Sequence, residues 1–345
     1  MNSKIKILSI LCAALAIASC KDKDDDKTTY SNYFSGSIYF DLPAFVQKGE
    51  EYHLQASEVS RTSDDESTES YGVFWRVSPG MEKSDTVRFA GEDVSVYDGS
   101  YTMVVPDTLC TLTVTCTVYA SGYYNSSGSA TCIIVDPSEE DGSLTGLAYP
   151  ESVESFTDAR DGIVYKYVHL GSHDWMARNL EWDGAGVSYA NSEVMDPLFG
   201  RLYTWQDAVE SDICPAGWHL PTNAEWLDMA NAVSGHSDTD ALSSLKDISG
   251  ALRPSARLNN LLLWDYQPGF DINNSTYMNV LPVGYAMVTD GAYKFNGIQK
   301  YATFWTADES VAGEAYYRYL YDDKADVMLA SGSKTDFATT IRCCR

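Results

Sequence analysis

The sequence predicts a two-domain chain, an all-β sandwich followed by an α+β domain. Three observations carry that reading. At 345 residues the chain exceeds one ordinary domain and gives each of two enough length to bury a core. Residues 37–136 break into seven short β-like runs separated by turns, the texture of a small sandwich. Beyond residue 146 the texture changes to tryptophan-, tyrosine-, glycine- and asparagine-rich segments around two capped helices.

At the start, Lys4 and Lys6 precede the apolar run ILSILCAALAIASC, too short to span a bilayer as a stable helix and ending in small residues. Residues 1–19 therefore read as a signal peptide. Its end, Ile17-Ala18-Ser19-Cys20, resembles a bacterial lipobox, in which the cysteine is lipidated and becomes the mature first residue. The resemblance implies a lipid anchor, palmitate among its acyl chains, on Cys20. The run KDKDDDKTT is too charged to bury apolar surface, so residues 20–36 read as an anchored tether. Its lysine-then-acidic pattern resembles the export signal of Bacteroidetes-type lipoproteins, which implies the outer membrane with the chain facing the cell exterior. A net charge of −25 excludes nucleic acid as a partner, since a phosphate backbone selects lysine and arginine surfaces. The acidity reads as solubility.

The seven runs of residues 37–136 are SIYFDLPAFV, EYHLQASEV, GVFWRVSP, DTVRFAG, SYTMVVPD, TLTVTCTVYA and SATCIIVD, an immunoglobulin-like sandwich in number and spacing. In CTLTVTCTVYA, Leu112 and Val114 share parity with Cys110 and Cys116, so these cysteines belong to the apolar face and Thr111, Thr113 and Thr115 to the other. The polar stretch RTSDDESTES reads as a solvated loop. Residues 137–146 are proline-, glycine- and acid-rich without periodicity and read as the linker to a second domain at 147–345.

Two helices are legible in the second half. In TWQDAVES, Thr204 caps and Asp207 reaches back from the third position. In GWHLPTNAEW, Thr222 and Glu225 stand at capping-box spacing, Pro221 stops the preceding segment, and Trp226, Met229, Ala230 and Val233 form one stripe with Gly235 past the end. Helix initiation accounts for most of that motif. His219, flanked by Trp218 and Leu220, reads as a packed, hydrogen-bonded histidine.

The segments DGIVYKYVHLGSHDWMARNL, GRLYTWQDAV, CPAGWHLPTNAEW, FWTADE and TTIRCCR resemble, in that order, the Fibrobacter succinogenes major paralogous domain over residues 147–345. The resemblance implies a C-type lectin-like fold, related to the sulfatase-modifying family through the LPT-AEW core. Trp175, Asn179, Gly200, Trp205, Cys214, Trp218, Leu220, Pro221, Trp226 and Arg342-Cys343 occupy its signature positions and read as scaffold. The family register also implies a disulfide between Cys214 and Cys343, worth about 4 kcal/mol or somewhat more for so long a loop. Parity in FATTIRCCR turns Cys343 inward and Cys344 outward. Cys116 and Cys132, symmetric about SGYYNSSG, are candidate cross-strand neighbours, bonded or as buried thiols; Cys110 and Cys344 have no evident partner.

No catalytic residue, cofactor or metal site is expected. The chain has no HExxH, CxxC, GxSxG or phosphate-binding glycine loop. Cys343 and Cys344 are adjacent and point to opposite faces of a strand, and His169 and His173 are separated by a turn. Against the Glu-Pro-Asn (or Gln-Pro-Asp) and Trp-Asn-Asp calcium loops of lectins, Gln267-Pro268-Gly269 and Trp305-Thr306-Ala307-Asp308 each depart at a ligand position. The expected function is therefore a non-catalytic, membrane-anchored binding module for a glycan or protein. A structural envelope protein and an enzyme related to the sulfatase modifiers are the alternatives. In AYYRYLYDD, Tyr317, Tyr319 and Tyr321 lie on one strand face, and with Trp305 and Asp322 they form the candidate binding patch. The same alternation also suits a core-facing ladder, and burial decides between the two.

Overall fold

The computed structural model describes residues 32–61, 71–78, 99–265 and 271–345. The signal peptide, Cys20, most of the tether, the run DTVRFAG, nearly all of the RTSDDESTES loop and Gln267-Pro268-Gly269 lie outside the described residues. Among those described, no helix is long and apolar enough to cross a membrane. The structure is mostly β, built from several small sheets.

The chain divides into two compact units. Among the described residues, the first comprises 32–42, 51–61, 71–78, 99–103 and 111–131; the second comprises 43–50, 104–110, 132–265 and 271–345. In the first, strand Gly72–Ser78 pairs antiparallel with Thr111–Tyr119, from Gly72 opposite Tyr119 to Ser78 opposite Thr113. The expected parity holds: Leu112, Val114, Cys116 and Val118 are buried and the threonines between them are not. Trp75 is the centre of this core, 1 % exposed, stacked on Tyr101 at 5.4 Å and met edge-on by Phe40 at 4.9 Å. The tether is shorter than expected, because Asn32 already bridges to Tyr123 and Phe34–Ser35 pairs with Ser60–Arg61. Hydroxyl pairs Thr115–Ser129 at 2.8 Å and Thr117–Ser127 at 2.7 Å set a register that places Gly128 opposite Cys116. Cys110, Cys116 and Cys132 are free thiols, and burial pushes those of Cys116 and Cys132 up to about 12.

The second unit does not begin at the linker read from sequence. Phe45–Gln47 runs parallel to Ile133–Val135, and Phe45 and Val135 enter one apolar cluster with Tyr189, Met195, Leu198 and Phe199. Leu144–Thr145, within the expected linker, pairs with Arg257–Leu258. A short apolar run outranks its polar surroundings when a partner strand is at hand. The unit carries three further sheets. Glu154–Thr157, Val164–Leu170 and His173–Met176 form an antiparallel meander. A five-stranded sheet has the order Val187–Ser188, Arg201–Thr204, Phe337–Thr339, Tyr285–Thr289, Ala292–Asn296. The last sheet is Tyr301–Glu309, Glu314–Tyr321, Met328–Ser333.

Both expected helices form with complete capping boxes. Trp205–Glu210 has Thr204 and Asp207 paired reciprocally, and Asn223–Ser234 has Thr222 and Glu225. The second ends at Gly235 in the left-handed conformation, φ 74°, a position glycine takes without steric cost. Trp226, Met229 and Ala230 are buried on its stripe, with Trp226 packed edge-on against Trp175 at 5.0 Å.

Candidate functional site

Three places in the second unit bear on function: a face of tyrosines, a cleft, and a cluster at the end of the chain.

The tyrosines share a sheet face because they alternate along Glu314–Tyr321, with Arg318 and Leu320 turned to the opposite, core side. Tyr317, Tyr319 and Tyr321 are half-buried, neither core nor free surface. Their rings join others that sequence reading missed. Tyr301 lies 4.6 Å from Tyr321 and 6.1 Å from Tyr319, Tyr285 lies 5.9 Å from Tyr301, and Phe337 lies 4.8 Å from Tyr317 and 5.2 Å from Tyr285. With Tyr317 and Tyr319 in contact at 5.9 Å, the rings form a closed circle. Burial pushes the Tyr317 hydroxyl up to about 12.

Two residues of the expected patch do not belong to its surface. Trp305 is fully buried, packed perpendicular to Tyr317 and donating its indole N–H to the Tyr203 carbonyl at 2.8 Å, so it supports the circle from beneath. Asp322 is 7 % exposed, and burial raises its carboxyl above the ordinary range. Trp305 stands opposite Tyr317 in the strand register but is covered, and Asp322 has the parity of Arg318 and Leu320, which turn to the core. In Trp305-Thr306-Ala307-Asp308, Asp308 accepts the backbone N–H of Asn223 at 2.5 Å and Thr306 accepts from the Asn223 amide at 3.3 Å. That segment holds a helix terminus.

The cleft, about 500 Å³, is lined by Glu139, Lys166, Arg178, Asn179 and Arg342 among others. Its cations are committed. Lys166 pairs with Glu139 at 3.1 Å and Arg178 with Glu181, while Arg342 donates to Asn179 at 2.6 Å and to three backbone carbonyls.

The third place is assembled by the last residues. Cys344 bridges to both Trp175 and His219: its N–H donates to the His219 carbonyl at 3.0 Å and its carbonyl accepts from His219 at 2.8 Å. This final segment is buried on both faces, Cys343 in one apolar cluster and Cys344 in another, each 0 % exposed. The outward orientation read for Cys344 is therefore corrected. The side chains do alternate, but a core lies on either side. Cys343 forms the expected disulfide with Cys214.

Around the Cys344 thiol gather His219 and Glu225, and His173 meets the same Glu225 carboxylate. His219 Nε2 lies 3.3 Å from Cys344 Sγ and 2.7 Å from Glu225 Oε1, and His173 Nε2 lies 3.3 Å from the same carboxylate oxygen. Burial pushes the Cys344 thiol well above its ordinary range, and Glu225 beside it adds to the shift. Burial alone would raise Glu225, but the Thr222 N–H and His219 hold its carboxyl below the usual value. This is not a nucleophilic triad. A relay needs the histidine to face the thiol with one ring nitrogen and its carboxylate with the other, whereas Nε2 of His219 faces both.

No local spacing announced this cluster. Its members come from a hairpin, a segment before a helix, a helix cap and the final segment, brought together by the two bridges of Cys344 and by the packing of the hairpin on the helix.

The chain matches no curated protein and no solved structure. The family model of the Fibrobacter succinogenes major domain matches residues 168–345, which include the capped helix, the disulfide and the tyrosine strand. The chain belongs to the Fibrobacter succinogenes major domain family.

Proposed function

We propose that the protein is a non-catalytic binding module, held to the outer membrane by a lipid on Cys20 and facing the cell exterior, whose second unit is C-type lectin-like and whose first is immunoglobulin-like. The ligand is a glycan or a protein. The observation that supports this most is the circle of Tyr285, Tyr301, Tyr319, Tyr317 and Phe337, to which Tyr321 is joined through Tyr301, with all five tyrosines half-buried. Tyrosine rings fixed by neighbours offer apolar faces and hydroxyls at little further entropic cost, which suits sugar stacking and protein contact alike.

The test uses the full mature chain, because residues 43–50 and 104–110 belong to the second unit. Screened against glycan and host-protein arrays, it should yield a ligand that Tyr319→Ala and Tyr321→Ala each weaken at least about tenfold, or about 1.4 kcal/mol. Both variants should fold, losing less than about 2 kcal/mol, since half-buried side chains forfeit only part of their burial energy. Trp305→Ala should instead cost about 3–5 kcal/mol of stability. Folded tyrosine variants with undiminished binding would refute the patch. Location is tested separately: protease added to intact cells should remove the protein, and a chain left untouched would refute the outward orientation.

A further inference from the structure

We propose that His219, Glu225 and Cys344 form the core of a binding site for a divalent transition metal of the zinc class, which His173 completes by drawing in from beside Glu225. The donor atoms of the first three converge on one point. His219 Nε2, Glu225 Oε1 and Cys344 Sγ lie within 4.8 Å of one another, and His173 Nε2 approaches the same Oε1 at 3.3 Å. As hydrogen bonds these contacts crowd together, since His219 Nε2 faces both the thiol and Glu225 Oε1, and Oε1 also faces His173 Nε2. A central cation satisfies all of them together. Bonds of about 2.0–2.3 Å to nitrogen, oxygen and sulfur set tetrahedral ligand separations of about 3.3–3.8 Å, so the 2.7 and 3.3 Å contacts of His219 need only open slightly, while His173 moves in from its contact with Glu225. One thiolate, two imidazoles and a carboxylate select zinc-class ions over calcium or magnesium.

The surroundings are those of a held site. Glu225 divides its two oxygens: Oε2 accepts the N–H and hydroxyl of Thr222 at 2.7 and 2.9 Å, fixing the carboxylate, and Oε1 faces the other donors. His173 directs Nδ1 toward Asp228 Oδ2 at 3.6 Å, the carboxylate–histidine arrangement that orients a ligating ring, and that Nδ1 is buried without a hydrogen bond. Asp228 is itself fixed by the Ser172 N–H at 2.6 Å. Gly171, at φ 67°, permits that approach: a Cβ there would lie 2.4 Å from the Asp228 carboxylate. The Cys344 thiol is fully buried, whereas the His219 side chain is 48 % exposed and leaves a route from solvent. The bound metal would join the end of the chain to the start of the capped helix and to the hairpin at His173.

Cobalt(II) alone, added to the full mature chain without reductant so that Cys214–Cys343 stays closed, is the probe. One equivalent should bind with a thiolate-to-cobalt charge-transfer band and tetrahedral d–d absorption, and zinc should displace it. Cys344→Ser should abolish the charge-transfer band. His219→Ala, at a half-exposed position, and Glu225→Gln, which keeps the capping hydrogen bond, should each weaken binding by more than about 100-fold. Asp228→Asn should weaken it about 10–100-fold, the range for a partner outside the ligand set. His169→Ala, whose ring pairs with Asp174 instead, should leave affinity unchanged. Absence of the charge-transfer band in the unaltered chain overturns the site. So does a band that survives Cys344→Ser, or affinity that His219→Ala and Glu225→Gln leave unaltered.

Discussion

Replacement of Cys214 and Cys343 by serine together is expected to lower the stability of the second unit by about 5 kcal/mol. The bridge closes a loop of 129 residues, and in the chain-entropy model a loop of that length restricts the unfolded chain by about that amount. A domain is stable by only about 5–15 kcal/mol in all, so the loss is a large share. The position of the bridge makes the effect general. Cys214 stands just ahead of the segment that leads through His219 into the capped helix, and Cys343 stands in the buried final segment beside the bridges of Cys344. Opening the disulfide frees both ends of the region that carries the capped helix and the tyrosine strand. The measurement is urea unfolding followed by tryptophan fluorescence, comparing the oxidised chain with the double variant. A midpoint within error of the unaltered chain would show that packing alone closes the loop.

Local chemistry explains which features were legible in the sequence. The two helices were read from capping residues because a cap is a contact over three positions, with its spacing written in the chain. The apolar face of Thr111–Tyr119 was read from parity for the same reason. The disulfide came from family register and not from geometry. What escaped depends on which elements meet. Parity turned Cys344 outward as though the last segment lay at a surface, yet apolar clusters cover it on both sides. His173 and His219 look unrelated across 46 positions, and meet on the Glu225 carboxylate because Cys344 bridges to Trp175 and to His219 and the hairpin packs on the capped helix. The tyrosines of Glu314–Tyr321 were seen, but Tyr285 and Tyr301 were not, since they join the circle from other strands. Phe45–Gln47 shows the same limit at the level of units: its partner, Ile133–Val135, lies some ninety positions away.

Among the buried arginines, Arg253 and Arg318 are not legible in the sequence and Arg342 is read only as scaffold through the family resemblance; Arg342 carries the second large expected effect. In a chain of net charge −25, Arg253, Arg318 and Arg342 are each fully buried. Each spends its guanidinium largely on backbone carbonyls. Arg253 donates to Tyr321, Asp322 and Lys324, and Arg318 to Ser243 and Ala241 with Asn223 as its side-chain partner. Arg342 donates to the Asn179 side chain at 2.6 Å and to the carbonyls of Met176, Met278 and Asn279 at 3.1, 2.5 and 3.1 Å. A loop-rich domain has many carbonyls outside helices and sheets, and one planar fork satisfies several at fixed angles. Burial pulls the Arg342 guanidinium down to about 9, which still leaves it protonated at neutral pH.

Two opposed costs then decide what substitution does. Arg342→Met removes the charge and its burial cost but strands one amide oxygen and three carbonyls, each worth about 1–3 kcal/mol if unsatisfied, for an expected net loss of about 3–5 kcal/mol. Arg342→Lys keeps a buried charge while offering three donors from a single nitrogen, so it retains the cost and recovers few of the bonds. The chemically closer replacement is therefore expected to be at least as destabilising as methionine. Equilibrium urea unfolding of the two variants measures this directly. A lysine variant within about 1 kcal/mol of the unaltered chain would mean that positive charge, and not the geometry of the fork, holds these loops together.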